Sequence, residues 1–489
     1  MSTQLQPQAQ GNETPRRIIG IDLGVTARHR AAILNPATNQ FVVRTLRFRP
    51  VAKELDALLR KARAQGSGRE NASRVQLTAT LEATHMSWYL VSHYLQQQGV
   101  TVYRVNGRMT KQLRRVATPH AQSDAIDAQV LARLPGACPE QLYPLTVPMV
   151  DSLALKRYVL EYARWRTAAT AIKNRLTAYD HAFWPGMAGA VPAKARDWVR
   201  ENWFDPWEVL AVGEDALQEA WREAAPRESG DWIHDWYRFT AELSRLYVAP
   251  LTGMHHLQSL IRYQLRQLAY ALEQQNVLMQ EYILPLYREL SPNSLLTTIY
   301  GIAEPSAAIY HAYIQDISRF PTPAAFRQWC GIVPRSHQSG QHNAKGGHIT
   351  QAGPNLVKAT LYMNALVARQ YDIGLARVYY TQMVTHGKHH NQAAVACASH
   401  LASRIYAILS KQTPYEVRDL EGNPISVEAA QAYIRAHFTV PEEVRLRSNT
   451  QRRSPSPLDG QETDEQNGET SGYTTGDTSL SYPEEFGDN

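Results

Sequence analysis

The stretch that decides the fold is Arg17-Ile18-Ile19-Gly20-Ile21-Asp22-Leu23-Gly24, an apolar run that ends on a carboxylate. A second apolar run, residues 75–81, ends in the same way on Glu82. Between them, residues 30–34 and 41–46 are also apolar and are separated by turn-forming residues, which is typical of a hairpin or meander. The opening of the chain therefore predicts a sheet in which two strands end on an acidic residue.

Helices and strands alternate in the next part of the chain. The spacing of apolar residues predicts helices at about residues 51–64 and 88–98 and a strand at 100–105. A further helix begins at Ser123, a favourable N-cap residue, and runs to about Arg133. Strands followed by alternating helices and strands predict an α/β layer fold. The order matches a ribonuclease-H-like sheet.

Two more carboxylates, Asp124 and Asp127, lie on the last of these helices. Their i, i+3 spacing puts both on one helix face. An acid at each of two strand ends and two on a facing helix can converge on a hard cation such as Mg²⁺ or Mn²⁺. Two such ions about 4 Å apart are a common means of cutting phosphodiesters. We therefore predict that Asp22, Glu82, Asp124 and Asp127 form a metal-binding catalytic site.

Each of these acids also has a simpler interpretation. An Asp after a strand is often a turn former, and Asp-x-x-Asp on a helix is often solvated. The combination favours a site, because Glu82 lies among small and apolar residues, where a lone carboxylate is costly to bury. The segment around Asp22 also resembles the first phosphate loop of actin-like ATPases and sugar kinases. The sequence contains neither their second phosphate loop nor their adenosine motif.

Composition is compatible with a nucleic-acid enzyme. A chain of 489 residues predicts two or three domains, and a formal net charge of +6 favours polyanionic partners. The three cysteines have no metal-ligand spacing, so we expect neither zinc nor disulfides. We find no apolar stretch of membrane-spanning length and no signal-like N-terminus. These features predict a cytoplasmic protein with no membrane partner.

The remainder of the chain is mostly helical. Long helical patterns lie at 154–179 and 239–290, and the second exceeds a typical globular helix even if it is broken at Pro250 and Pro285. They predict a coiled-coil hairpin or an oligomer seam within a region spanning 149–290. The Trp-rich segment 184–236 between them receives no assignment. Residues 1–15 and 441–489 have the composition of disordered termini, and 413–440 form a short appendage.

A second group of chemically distinctive residues lies at 330–353, between two helical segments. This stretch contains five glycines, which permit close approach to phosphate. It also contains Arg335, His337 and Lys345, which suit phosphate neutralisation. Ser339, beside Gly340, is a candidate nucleophile if a base or metal activates it. A plain phosphate-binding or structural loop is the alternative.

Both groups together resemble one family, the DEDD-motif transposases of insertion sequences, which have a RuvC-like N-terminal domain. The four acids match the family's four acidic positions. Residues 298–320 match the start of its C-terminal transposase domain. Residues 329–335 and Ser339-Gly340 match the loop that bears its catalytic serine.

This sequence departs from the family pattern at four places, of which the Trp-rich segment 184–236 is an insertion that the family pattern lacks. Gln341 replaces a glycine, and Gln351 replaces a basic residue for which Lys345 or Lys358 can compensate. In the hairpin-like motif, Ala303 replaces a glycine and is followed by Glu304-Pro305, which argues against nonspecific duplex binding there.

The resemblance covers about residues 17–135 and 295–411. Together with the helical pattern between them, it predicts a domain order of 16–148 (RuvC-like), 149–290 (helical) and 291–412 (transposase domain with the serine). It implies that Ser339 attacks DNA to form a phosphoserine intermediate at a centre shared with the metal site, and that Arg335, His337, Gly340, Lys345 and Lys358 bind nucleic acid. It also implies double-stranded donor and target DNA, a structured noncoding guide RNA, a homodimer or homotetramer, and a prokaryotic, nucleoid-associated location. Two alternatives stay open: a metal-dependent Holliday-junction-type endonuclease without a covalent intermediate, and an inactive nucleic-acid-binding relative.

Overall fold

The structure is a computed structural model that describes residues 15–64, 75–82, 86–105, 107–117, 123–142, 144–246, 252–333, 338–339, 342–343, 349–350 and 353–450. The chain forms two compact units. The first comprises Met1–Met149, Leu295–Ile302 and Ile314–Asn489. The second comprises Val150–Ser294 and Ala303–Tyr313. The predicted disorder of residues 1–14 and 451–489 lies outside the described residues.

The first unit opens with a five-stranded mixed sheet. Its strands are β1 (Arg16–Asp22), β2 (His29–Asn35), β3 (Gln40–Phe48), β4 (Gln76–Glu82) and β5 (Thr101–Val105), in the order β3-β2-β1-β4-β5. Strands β1, β2 and β3 pair antiparallel as a meander, whereas β4 pairs parallel with β1 and β5 parallel with β4. This mixed sheet is compatible with the predicted ribonuclease-H-like fold.

Four helices accompany this sheet: α1 (Ala52–Arg63), α2 (Trp88–Gln97), α3 (Gly107–Ala117) and α4 (Asp124–Ala137). The predicted N-cap of α4 is confirmed, because the Ser123 hydroxyl accepts a hydrogen bond from the Ile126 N–H at 3.3 Å. The sequence pattern predicts no helix at 107–117. The structure has α3 there, because its narrow apolar stripe of Met109 and Leu113 packs on Val105 and the body of α4.

The second unit is helical. Its helices are α5 (Val150–Phe183), α6 (Met187–Ala190), α7 (Arg196–Asn202), α8 (Pro206–Val212), α9 (Glu214–Ala224), α10 (Trp232–Ser244), α11 (Met254–Val277), α12 (Leu284–Leu290) and α13 (Glu304–Ile314). Helices α5 and α11 pack antiparallel, with Trp165 on Tyr270 and Tyr158 on Tyr282 at ring-centroid distances of 5.5 and 5.2 Å. The expected coiled coil and oligomer seam stay predictions.

The Trp-rich segment supplies the core of this second unit. Trp184 and Trp236 are fully buried, with ring centroids 6.1 Å apart, and the Trp184 indole donates a hydrogen bond to the Phe204 carbonyl at 2.7 Å. The segment is therefore a folded helical cap on the α5–α11 pair. The surrounding bulky aromatic side chains fill its small core.

The helix is not broken at Pro285. Helical backbone continues from α11 through a π-helical turn, Leu278–Ile283, into α12. Pro285 lacks an N–H and cannot extend an α-helical ladder. A wider turn immediately before it accommodates the missing donor without ending the helix. Pro250 lies outside the described residues, and α10 and α11 are separate helices on either side of it.

The C-terminal part of the first unit is built around one long helix. It contains α14 (Pro323–Trp329), β6 (Gln338–Ser339), β7 (His342–Asn343), α15 (Asn355–Ala368), α16 (Ile373–Tyr380), α17 (His390–Lys411), α18 (Val427–His437) and α19 (Glu442–Thr450). Helix α17 is long and apolar enough to cross a membrane by length and composition, but 44% of its most apolar window is buried inside the fold. Ala393, Leu401 and Ile405 of α17 are fully buried inside the fold.

Two segments near the C-terminus are more ordered than composition predicts. In the appendage, Ala430 of α18 packs against Ile373 and Val417. Residues 442–450, predicted to be disordered, form α19. Glu442 and Glu443 lie in its first turn, where negative charge stabilises a helix, although few apolar residues are present.

Candidate active site: a cluster of four carboxylates

The register of two parallel strands brings the first two acids together. Ile21 of β1 lies opposite Leu81 of β4, and both side chains are fully buried. Asp22 and Glu82 each follow by one residue. Neighbouring strands lie about 4.8 Å apart, and side chains at matching positions leave the same face of the sheet. The two carboxylates therefore project side by side from one sheet edge.

Gly20 allows α4 to approach this face closely. A Cβ atom at Gly20 would lie 2.0 Å from the Ala128 carbonyl oxygen and 2.3 Å from the Ala132 nitrogen. Gly20 and Asp22 are two residues apart on one strand, so they share a face of the sheet. Helix α4 therefore lies directly on the face that carries Asp22.

The direction of α4 places its two acids at the same edge. Ala132 packs against Ile18, near the start of β1, so α4 runs antiparallel to that strand. Asp124 lies one turn before Ala128 and is thereby carried toward Asp22. Asp124 and Asp127 both lie in the first turn of α4, where the helix dipole lowers the cost of negative charge.

The electrostatics of Asp22 indicate that all four acids are gathered. The pKa of Asp22 is raised from 3.8 to about 6, first by burial and then by the charges of Asp124, Asp127 and Glu82. The guanidinium of Arg30, which lies opposite Asp22 in the β1–β2 pair, lowers the pKa of Asp22. The cluster is therefore a concentration of negative charge at the sheet edge.

Helix α3 forms the other wall of the site. A Cβ at Gly107, its first residue, would lie 2.7 Å from Glu82 Oε1, so the N-terminus of α3 abuts that carboxylate. Burial raises the pKa of Glu82, whereas the Thr110 hydroxyl on α3 lowers it. Arg114, one turn further along, donates to both oxygens of Asp127, with Nη1 at 2.8 and 3.0 Å.

The chemistry of these residues suits a hard divalent ion. All four donors are carboxylates, without a thiol or imidazole, and this is the set that Mg²⁺ and Mn²⁺ prefer. A cation would also relieve the repulsion that raises the pKa of Asp22. Within the described part of the chain, no three carboxylate, imidazole or thiol groups are arranged closely enough to hold one ion. Asp127 is instead paired with Arg114.

The serine segment is described only in part. Ser339 lies in β6, whose backbone pairs antiparallel with β7 in the register Ser339↔His342. The base of the segment is closed by a hydrogen bond from the Thr350 N–H to the Val333 carbonyl at 2.9 Å. Gly353, with φ +79°, lies where a Cβ would be 1.9 Å from the Trp329 carbonyl oxygen.

Of the five residues predicted to bind nucleic acid, Lys358 is the one that the structure describes. Arg335, His337, Gly340 and Lys345 lie outside the described residues. Lys358 is near the start of α15, and burial lowers its pKa. The structure brings the four acids together, and the side chain of Ser339 is not among the described groups.

Sequence reasoning misses four residues that shape the carboxylate cluster. Arg30 and Arg114 supply positive charge. Their proximity to Asp22 and Asp127 follows from the β1–β2 register and the packing of α3, which only the tertiary structure gives. Gly20 and Gly107 permit close packing. Gly20 carries a readable signal, because an isolated glycine inside a strand pattern indicates close approach of another backbone.

Comparison with known families agrees with the resemblance drawn from the motifs. A DEDD-type family model of the IS110 group, described as a transposase, matches residues 19–183. A second, described as the transposase IS116/IS110/IS902 family, matches residues 293–381. The first match contains all four carboxylates and the second contains Ser339. The chain belongs to the IS110/IS116/IS902 family of transposases.

Individual relatives cover the chain to different extents. A Streptomyces coelicolor protein named "Insertion element IS110 uncharacterized 43.6 kDa protein" is 25% identical over 423 residues, covering 84% of this chain and 97% of its own length. The "Pilin gene-inverting protein" of Moraxella lacunata is 27% identical over 125 residues, 26% of this chain and 39% of that protein. A "Probable family 20 transposase" of Pseudomonas aeruginosa is 30% identical over 125 residues, 24% of this chain and 36% of that protein.

Proposed function

We propose that this transposase cuts and rejoins double-stranded donor and target DNA as the site-specific recombinase of an insertion sequence. The convergence of four carboxylates at the end of β1 and β4 carries the proposal. A relative named for inverting a gene fits a reaction in which strands are exchanged as well as cut. The net charge of +6 suits a polyanionic substrate.

The four acids would hold Mg²⁺ or Mn²⁺. When bound, such an ion polarises the scissile phosphate and offsets charge that develops on it. The chain's own contribution is placement. The β1–β4 register fixes Asp22 and Glu82, and the close contact at Gly20 fixes the first turn of α4. A carboxylate cluster held by a sheet and a packed helix is more rigid than one carried on loops.

Ser339 is the proposed nucleophile. Its Oγ forms a bond to phosphorus, the phosphodiester bond to one DNA oxygen breaks, and the hydroxyl proton is transferred so that this oxygen leaves as an alcohol. A serine hydroxyl needs activation for this attack. Arg335, His337 and Lys345 in the same segment, with Lys358 on α15, would offset charge on the phosphate. Ser336, three residues earlier, is the rival nucleophile.

The proposal extends to partners. The family resemblance supports a structured noncoding guide RNA, assembly as a dimer or tetramer, and a cytoplasmic, nucleoid-associated location. Self-association through the long helices is supported by Leu260, Tyr263 and Tyr270, which are at least 42% exposed along α11. Apolar side chains repeated on one helix face are typical of a seam.

The decisive experiment tests both residue groups in one assay. The full chain is purified with its bound RNA and incubated with DNA carrying the element's ends and Mg²⁺, and denaturant-resistant protein–DNA adducts are measured. We expect Asp124→Asn and Ser339→Ala each to retain DNA binding but form no adduct. Asp151→Asn, in the exposed first turn of α5, is the matched control and should behave as wild type.

The alternatives predict other outcomes. If Ser336→Ala abolishes the adduct and Ser339→Ala does not, Ser336 is the nucleophile. If Asp124→Asn abolishes cleavage and neither serine change has any effect, the protein is a metal-dependent endonuclease without a covalent intermediate. If the wild type binds DNA without cutting under any condition, it is an inactive relative.

A further inference from the structure

Asp127 already has a cationic partner in the folded chain. Nη1 of Arg114 lies 2.8 Å from Oδ1 and 3.0 Å from Oδ2 of Asp127, so a single nitrogen bridges both oxygens. The pair is shielded, with side-chain exposures of 17% for Arg114 and 21% for Asp127. Hydrogen bonds between charged groups are stronger than those between neutral groups. Dissolved ions screen a partly buried pair less than an exposed one.

The Arg114–Asp127 pair offsets electrostatic repulsion among the four carboxylates. Carboxylates held near one another at the ends of β1 and β4 and the first turn of α4 repel one another. A guanidinium inside the cluster reduces that repulsion while the protein is free of metal.

The same pairing conflicts with metal ligation by Asp127. Since Nη1 of Arg114 lies between both oxygens, it occupies the position from which the Asp127 carboxylate would chelate an ion. A fixed positive charge in the cluster also repels a divalent cation. The described residues contain no closed three-ligand arrangement.

We propose that Arg114 is a resident counter-cation, which holds Asp127 in the metal-free protein and must release it when a divalent ion enters the cluster. Arg114 is thus a positioning residue that acts through Asp127. The inference rests on the proposed function, because it takes the four acids to be metal ligands.

Loss of the Arg114 charge should change the metal affinity in a direction opposite to that expected of a damaged fold. Removing Arg114 should strengthen metal binding, because the ion no longer competes with a guanidinium. A damaged fold would weaken it. We expect Arg114→Gln to bind Mn²⁺ about tenfold more tightly, which corresponds to about 1.4 kcal/mol. Arg115, the next residue on α3, is exposed and has no ion pair among those described, so Arg115→Gln is the matched control and should leave the affinity unchanged.

The test uses the full chain without nucleic acid. Free Mn²⁺ is followed by its electron paramagnetic resonance signal during titration of the wild type, Arg114→Gln, Arg114→Lys, Arg115→Gln and Asp22→Asn. The site in question is the binding that Asp22→Asn removes. Arg114→Lys keeps the charge, so its affinity should stay within about twofold of wild type.

Each result has one meaning. Tighter binding in Arg114→Gln alone supports the inference. Unchanged or weaker binding in Arg114→Gln overturns it, as does equal tightening in Arg114→Lys, because charge would then not be the competing property. A wild type with no Asp22-dependent Mn²⁺ binding would instead refute metal ligation in the proposed function. The two failures are therefore distinguishable.

Discussion

Replacing Asp22 by Asn should stabilise the metal-free N-terminal sheet at neutral pH, although it should abolish catalysis. The folded-state pKa of Asp22, about 6, lies above its ordinary value of 3.8. The folded protein therefore binds this proton more tightly than the unfolded chain. The charge on Asp22 has no cost below about pH 4, and the cost grows as the pH rises toward 6 and is complete above it.

The size of the effect follows from that difference. Each pKa unit corresponds to about 1.4 kcal/mol, so the rise from 3.8 to about 6 sets an upper limit of about 3 kcal/mol. Asp22 is partly exposed, and solvent screens part of the repulsion. We therefore expect Asp22→Asn to gain about 1–2 kcal/mol in the absence of metal.

Amide hydrogen exchange of the full chain measures this locally. In EDTA at about pH 7.5, peptides covering β1 and β4 should exchange about tenfold more slowly in Asp22→Asn than in wild type. At about pH 4.5 the stability difference should fall to about a third of its value at pH 7.5, because the folded wild-type carboxyl is then protonated while the unfolded one is still mostly ionised. The charge-matched control is Glu140→Gln, which removes an exposed acid and should change neither rate. Faster exchange in Asp22→Asn at pH 7.5, or an equal advantage at both pH values, would refute the reasoning.

Three further predictions concern the packing of the fold. Gly20→Ala should destabilise the N-terminal sheet by at least about 2 kcal/mol and abolish Asp22-dependent Mn²⁺ binding, because a Cβ there would overlap the α4 backbone, whereas Gly136→Ala, in open space on α4, should be neutral or stabilising by up to about 1 kcal/mol in denaturant unfolding. Asp372→Ala should cost about 3–5 kcal/mol in the same measurement, because the buried Asp372 carboxylate accepts bonds at 2.7 and 3.0 Å from a partly buried guanidinium; Glu416→Ala, which breaks an exposed pair, should cost less than about 1 kcal/mol. Trp236→Ala should cost about 3–5 kcal/mol, observed as early loss of protection in the second unit, because its indole is fully buried; an unchanged exchange pattern would contradict its place in that core.

The sequence alone determined the strands and most helices of the N-terminal sheet. Apolar runs that end at Asp22 and Glu82 have the period and length of buried strands, and such local patterns are readable without tertiary information. The N-cap at Ser123 was equally local, because a cap depends on residues within one turn. The motifs around the four acids and Ser339 were specific enough to indicate the family, and the family matches confirm it.

The course of the long helices was only partly readable. Prolines mark backbone positions without a donor, but whether a helix ends there depends on what the surrounding turns can accommodate. At Pro285 a π-helical turn accommodates it, and the helix continues. The tryptophans of 184–236 gave no periodic signal, because they fill one core from several short helices that meet only in the folded unit.

The electrostatic state of the candidate site was decided by tertiary structure. The i, i+3 spacing of Asp124 and Asp127 predicts a shared helix face, but it gives no distance to Asp22. That distance depends on Gly20, because α4 can lie against β1 only where no side chain intervenes. The pairing of Asp127 with Arg114 joins residues on two helices whose contact no local pattern encodes. Charge–charge energies vary steeply with separation and burial. The sequence therefore identifies the four acids, but only the fold determines that Arg114 is the cation paired with Asp127.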